Sequence, residues 1–156
     1  GDWSSDVCSS DLFESGRVST IACSVLDPAW AEQVKVRGKI LFIIEGLTMY
    51  MKADEVRTML AIIRDHFDNA YVCMETLCPY FVKKENIEKS IQATGATFTW
   101  GANSFADLGN IAAGFRKVKD DNIARGMETL NPIYKLVMWM PIVHKFAEKI
   151  LVFEKA

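Results

Sequence analysis

Two carboxylates stand where buried apolar runs stop. Glu45 closes "KILFIIEG" (Lys39 to Gly46), and Glu75 closes the run in "NAYVCMETL" (Asn69 to Leu77). Upstream, Ser24 and Asp27 follow the short run "STIAC" (Ser19 to Cys23). A carboxylate at the end of a buried strand is costly unless something pairs with it. Glu45 can cap the loop amides of Gly46 to Thr48, or it can hydrogen-bond a polar or cationic ligand above the sheet. Glu75 has the same geometry. Ser24 and Asp27 equally suit turn and helix-cap roles. Met49, Tyr50, Met51, Trp100, Trp139 and Met140 could line a pocket, although aromatic and methionine positions are more often core.

Other chemistries find little support. The chain has no GxGxxG, no GxxxxGK[ST] and no GxSxG. Its two histidines, His66 and His144, fall inside helical patterns among charged neighbours and suit surface or boundary positions. The four cysteines, Cys8, Cys23, Cys73 and Cys78, include no CxxC pair, and no histidine lies near Cys73 and Cys78 in sequence. Packing thiols in a reducing cytoplasm, and no metal site, are the expectation. A net charge of -2 leaves no basic footprint for nucleic acid. No apolar run reaches membrane-spanning length; "ILFII" (Ile40 to Ile44) suits a buried strand.

The elements that would hold these residues alternate. A strand over about Ser19 to Cys23 leads to a helix from Pro28 to about Val36, with Asp27 as its cap. The run from Lys39 to Gly46 lacks alternation, which predicts a central parallel strand buried on both faces. Lys52 to Phe67 predicts an amphipathic helix with Val56, Met59, Leu60, Ile63 and Phe67 on its apolar face. Asn69 to Leu77 predicts a second buried strand. Further helices are expected over Lys83 to Gly95, Ser104 to Gly114 and Asn131 to Lys149, the last bent or broken at Pro141. Phe115 to Ile123 reads as an edge strand and Ile150 to Ala156 as a terminal one. Strands alternating with helices predict an α/β doubly wound sheet. Ligands of such sheets bind beyond the carboxyl ends of the strands, where Ser24 to Asp27, Glu45, Gly46 and Glu75 to Cys78 fall.

The stretch "ILFIIEGLTMYM" followed by "ADEVRTML", with "SVLDPAW" before it and "GATFTWGA" after it, resembles the leucine carboxyl methyltransferase family. This broad group includes O-methyltransferases of polyketide and other small-molecule pathways. The resemblance runs from about Ser19 to Ala156, and its most specific element is the strand end EG-x-x-x-Y at Glu45, Gly46 and Tyr50. It implies a class I methyltransferase fold, a Rossmann-like sheet of which strands three to seven are present, with an antiparallel last strand. It implies S-adenosylmethionine as methyl donor, and a carboxylate or hydroxyl of a small molecule or peptide as acceptor. In relatives an acidic-Leu pair after the third strand meets the adenine; here that pair falls on Ser24 and Val25, so the acidic residue is absent and Asp27 partly stands in. The resemblance assigns the cofactor to Ser24, Val25, Leu26, Asp27, Glu45 and Gly46. Tyr50, Glu75 and Trp100 are the expected substrate contacts. An ionised carboxylate attacks a sulfonium without a general base, so a site with no poised histidine leans toward carboxylate methylation.

A class I methyltransferase opens with a first strand and a glycine-rich turn, and nothing before Arg17 supplies either. The expectation is a C-terminal fragment lacking its first two strands, which binds S-adenosylmethionine weakly or not at all and is inactive by itself. The opening "GDWSSDVCSSDL" (Gly1 to Leu12) resembles a translated sequencing adaptor: Asp2 to Leu12 match one reading frame of a common adaptor in order. Those residues are therefore set apart from the fold, and a methyltransferase segment is assigned to residues 13–156. Two alternatives stand beside this reading, a dehydrogenase-like nucleotide-binding enzyme and a non-catalytic interaction domain.

Overall fold

A computed structural model describes residues 19–35, 38–82, 96–124 and 140–156. The assignments made for residues 1–12, for the helix over 83–95 and for the first part of the helix over 131–149 lie outside them. Element order is α1 (Ala29–Gln33), β1 (Ile40–Ile44), a 3-10 turn (Thr48–Tyr50), α2 (Ala53–His66), β2 (Ala70–Thr76), α3 (Phe105–Leu108), a 3-10 turn (Gly109–Ala112), β3 (Phe115–Asn122), α4 (Pro141–Phe146) and β4 (Lys149–Lys155). The strands form one sheet in the order β1-β2-β4-β3. β1 and β2 are parallel, and β4 runs antiparallel to both β2 and β3. The last strand is thus antiparallel, and β3 lies at an edge of the described sheet. Its Arg116, Lys117 and Lys119 are exposed, a common way to keep an edge from pairing further.

α2 forms where its sequence pattern places it. Asp54 and Glu55 sit in its first turn and Arg64 and His66 in its last, which suits the helix dipole. Glu55 also reaches back to accept the Lys52 N–H at 2.6 Å, satisfying a donor that the first turn leaves free. Val56, Met59, Leu60, Ile63 and Phe67 are all buried. They meet Phe42, Ile44, Val72 and Met74 on one face of the sheet, in a core that also takes Leu151 and Phe153 from β4. Trp30 of α1 joins this core by stacking on Phe67, with ring centroids 5.8 Å apart. Phe105 brings α3 to the same face through Phe153, 5.3 Å away.

Three expectations need correction. Ser19 to Cys23 is not a strand: it enters no ladder among the described residues, and a strand exists only by pairing. β1 is not buried on both faces. Successive side chains alternate across the sheet, so Phe42 and Ile44 meet the helices while Leu41 (58% exposed) and Ile43 (70%) point away from them. Among the described residues β1 ends the sheet, and α1, α2 and α3 lie on one face only. The helix expected over Ser104 to Gly114 shortens to α3 and a 3-10 turn. The break falls at Gly109, whose φ of +48° is incompatible with a continuing α-helix.

Candidate functional site

The carboxyl ends of β1 and β2 lie side by side, because the parallel register pairs Ile44 with Met74. The turn after each strand is fixed by the other. Glu75, almost fully buried, accepts the Gly46 N–H through Oε2 at 2.7 Å. Thr48, fully buried, donates its hydroxyl to the Glu75 carbonyl at 2.7 Å. Glu75 therefore holds the loop amide that sequence reasoning offered to Glu45. Glu45 instead projects to solvent, with no hydrogen-bond partner among the described residues.

A third segment, residues 96–102, lies across these ends. The Thr99 N–H donates to the Met49 carbonyl at 2.8 Å, and the Thr99 hydroxyl to the Met51 carbonyl at 2.8 Å. The Thr76 hydroxyl donates to the Ala102 carbonyl at 2.8 Å. Between these ties Gly101 rests on the backbone of β2's exit: a Cβ there would stand 2.3 Å from the Leu77 carbonyl oxygen. Only glycine permits that approach.

The upstream turn is built from its own polar atoms. Ser24 Oγ accepts the Leu26 N–H at 3.2 Å, and the Ser24 carbonyl accepts the Asp27 N–H at 3.0 Å. Asp27 Oδ1 accepts the Ala29 N–H at 2.9 Å, a local turn bond two residues on; the N-cap of α1 is Pro28 and not Asp27, because the helix begins only at Ala29. Trp30 Nε1 donates to the Val25 carbonyl at 3.2 Å. That bond folds the turn back over β1. Val25, Trp30, Phe42, Glu45 and Leu47 then line one cleft of about 240 Å³. Two of the residues expected at a cofactor, Val25 and Glu45, share this cleft. Ser24 and Asp27 shape the turn beside it, Leu26 packs against the core, and Gly46 gives its N–H to Glu75.

The three expected substrate contacts diverge. Tyr50 is exposed and its ring packs on Phe98 at 5.5 Å. Trp100 is half-buried against the core. Glu75 is committed to the Gly46 amide. The histidines lie elsewhere: the His66 ring sits 2.9 Å from the Ile62 carbonyl on α2, and the His144 ring 3.4 Å from Asn122 Oδ1. Sequence reasoning missed Thr48, Thr76 and Thr99, whose hydroxyls lace the site together. Their β-branched, polar character carried no signal beyond strand propensity. It also missed Lys149, a buried lysine at the head of β4, where a charge directly before an apolar run was the available hint.

Among the described residues no group of three or more His, Cys, Asp or Glu side chains could hold a metal ion, and no helix is long and apolar enough to cross a membrane.

No protein-family model matches the chain. In sequence it is similar to the tetracenomycin polyketide synthesis O-methyltransferase TcmP of Streptomyces glaucescens, 28% identical over 96 residues. The match covers 62% of this chain and 36% of that protein, so the chain spans about a third of the length of its curated relative. In structure it is similar to a DUF574 family protein from Streptomyces avermitilis, with a TM-score of 0.57 and 12% identity. That match covers 86% of this chain and 53% of the other. The two share a fold. The chain is thus a mixed α/β protein with distant sequence similarity to an O-methyltransferase.

Proposed function

We propose that this chain serves in an S-adenosylmethionine-dependent O-methyltransferase of the leucine carboxyl methyltransferase and polyketide type. The observation that carries the reading is the shared cleft: the turn over Ser24 to Asp27 and the strand end at Glu45 come together at the carboxyl end of β1. The similarity to TcmP supports the reaction class. An apolar, tryptophan-bordered cleft with one unpaired carboxylate at its rim fits a flat heterocycle carrying N–H or O–H donors. Its volume of about 240 Å³ is below the roughly 300–1,000 Å³ of whole-ligand pockets, so it takes one end of the cofactor.

In this reading Val25, Trp30 and Leu47 hold the cofactor's apolar part, and Glu45 accepts a hydrogen bond from it. Ser24, Asp27 and Glu75 act one step back, by fixing the turns that present those groups. When bound, the sulfonium supplies an electrophilic methyl group. A carboxylate acceptor is ionised at neutral pH and gives up no proton on attack. The chain then has only to bring two reactants together in line, which is worth several orders of magnitude in rate. A hydroxyl acceptor would need a base. Neither His66 nor His144 lines the cleft, and this favours a carboxylate.

Binding of S-adenosylhomocysteine, measured by calorimetry on the wild type and on Glu45→Ala, tests the assignment. Loss of a hydrogen bond to a charged group is expected to weaken binding about tenfold. Glu32→Ala, an exposed carboxylate on α1 outside the cleft, should leave it unchanged. Equal affinities of wild type and Glu45→Ala would remove Glu45 from the site.

A further inference from the structure

A second cleft opens at the same end of the sheet, on the other side of β2. Its volume is about 450 Å³, and Cys78, Tyr80, Asn103, Lys145, Phe146 and Lys149 line it. That volume lies within the range of small-molecule pockets. The sheet register places it: Lys149 of β4 pairs with Thr76 of β2, one residue beyond Glu75. Asn103 follows Ala102, whose carbonyl the Thr76 hydroxyl holds.

The lining combines aromatic surface with positive charge. Tyr80, Phe81 and Phe146 form a cluster with ring centroids 4.9 to 5.9 Å apart. The two charged residues in the lining are both lysines, and no carboxylate lines the cleft among the described residues. Lys149 is buried, with 8% of its surface exposed. Its Nζ donates to the His144 carbonyl at 2.6 Å and the Lys145 carbonyl at 3.2 Å. An ammonium carries three donors, so one remains. Lys149 thereby caps the last carbonyls of α4, which bring no full counter-charge. Among the described residues the hydrogen bonds of Lys149 go to these two carbonyls and no ion pair includes it. Burial pushes its pKa below the ordinary lysine value, with the neighbouring Cys78 thiol working in the opposite sense. A buried cation without a counter-anion, facing an aromatic cleft, is a site built for an anion on a flat apolar body.

We propose that this cleft binds a small aromatic carboxylate, with its ring against Phe146 and Tyr80 and its carboxylate at Lys149. As the seat of the methyl acceptor, the cleft rests on the methyltransferase reading. As an aromatic-anion site it stands without it.

The test is a titration of the wild-type chain with 2-naphthoate, followed by backbone amide shifts, alongside the neutral 2-naphthylmethanol. The expected result is saturable shifts at Cys78, Asn103 and Lys149, with naphthoate binding at least about tenfold tighter than the alcohol, the scale of a hydrogen bond to a charged group. Lys149→Met should abolish that preference and Lys149→Arg should retain it. Lys149 also caps α4, so Asn103→Leu provides a check away from that cap: it should alter naphthoate affinity with the fold's spectrum intact. Equal binding of the two probes by the wild type, or naphthoate shifts confined to other residues, would overturn the proposal. Selective naphthoate binding in a chain whose saturable S-adenosylhomocysteine shifts fall away from Glu45 would leave this cleft standing and sink the methyltransferase reading; the reverse pattern would do the opposite.

Discussion

Phe153→Ala is expected to destabilise the chain by about 3–5 kcal/mol. Phe153 is fully buried near the centre of β4, opposite Val72 of β2 and Lys117 of β3. Its ring meets Phe105 at 5.3 Å and Phe115 at 5.2 Å, so it joins α3 and β3 to the middle of the sheet. Truncation removes the transfer free energy of the ring. It also leaves a cavity that neighbours on three elements cannot fill together. Domains of ordinary stability hold only about 5–15 kcal/mol in total, so the variant should stand near its unfolding threshold. Urea unfolding followed by far-ultraviolet circular dichroism would show a lower midpoint at an unchanged slope. A loss below about 1 kcal/mol would mean that the site can collapse, and that Phe153 does not hold α3 and β3 to the sheet.

Gly101→Ala should strike the site more than the core. The new Cβ would lie 2.3 Å from the Leu77 carbonyl oxygen and 3.0 Å from its carbon. Both are backbone atoms at the exit of β2, so no side-chain rotation relieves the contact. The segment over residues 96–102 must lift, and the ties from Thr99 to Met49 and Met51 and from Thr76 to Ala102 are strained with it. Overpacking of this kind costs about 1–3 kcal/mol. Amide exchange separates the effect from global loss. Protection at Thr99 and Trp100 should fall by more than the change in global stability accounts for, while that of Val72 and Leu151 falls only in step with it. Uniform loss at all four positions would show that residues 96–102 are not a separate cover on the strand ends.

Much of the frame was legible because its signals are local. The 3.6-residue period of Val56, Leu60 and Ile63, with acidic residues before basic ones, specified α2 to within a residue or two at each end. β2 and β4 followed from short apolar runs between polar turns. β1 was read correctly as a strand and wrongly as one buried on both faces. An apolar run reports that its side chains avoid water, but which neighbours cover each face depends on distant parts of the chain. The Ser19 to Cys23 strand failed for the same reason, since a strand needs a partner and a sequence names none.

At the strand ends, sequence located Glu45 and Glu75 without telling them apart. Their difference is set by register and alternation across two strands: Glu75 is carried to the Gly46 amide, and Glu45 is left unpaired beside Val25. The Ser24 and Asp27 turn roles were legible, because each bonds a backbone group two residues away. The second cleft was not, since Cys78, Asn103 and Lys149 meet only once β4 runs antiparallel beside β2.

A nucleoside cofactor is proposed to bind at the carboxyl end of β1. The most direct measurement is a backbone amide map of the chain titrated with S-adenosylhomocysteine up to millimolar concentration, a range that also registers weak binding. Saturable shifts are expected at Val25, Leu26, Asp27, Glu45 and Gly46, the residues of the upstream turn and the strand end. Saturable shifts confined to another part of the chain would contradict the proposal.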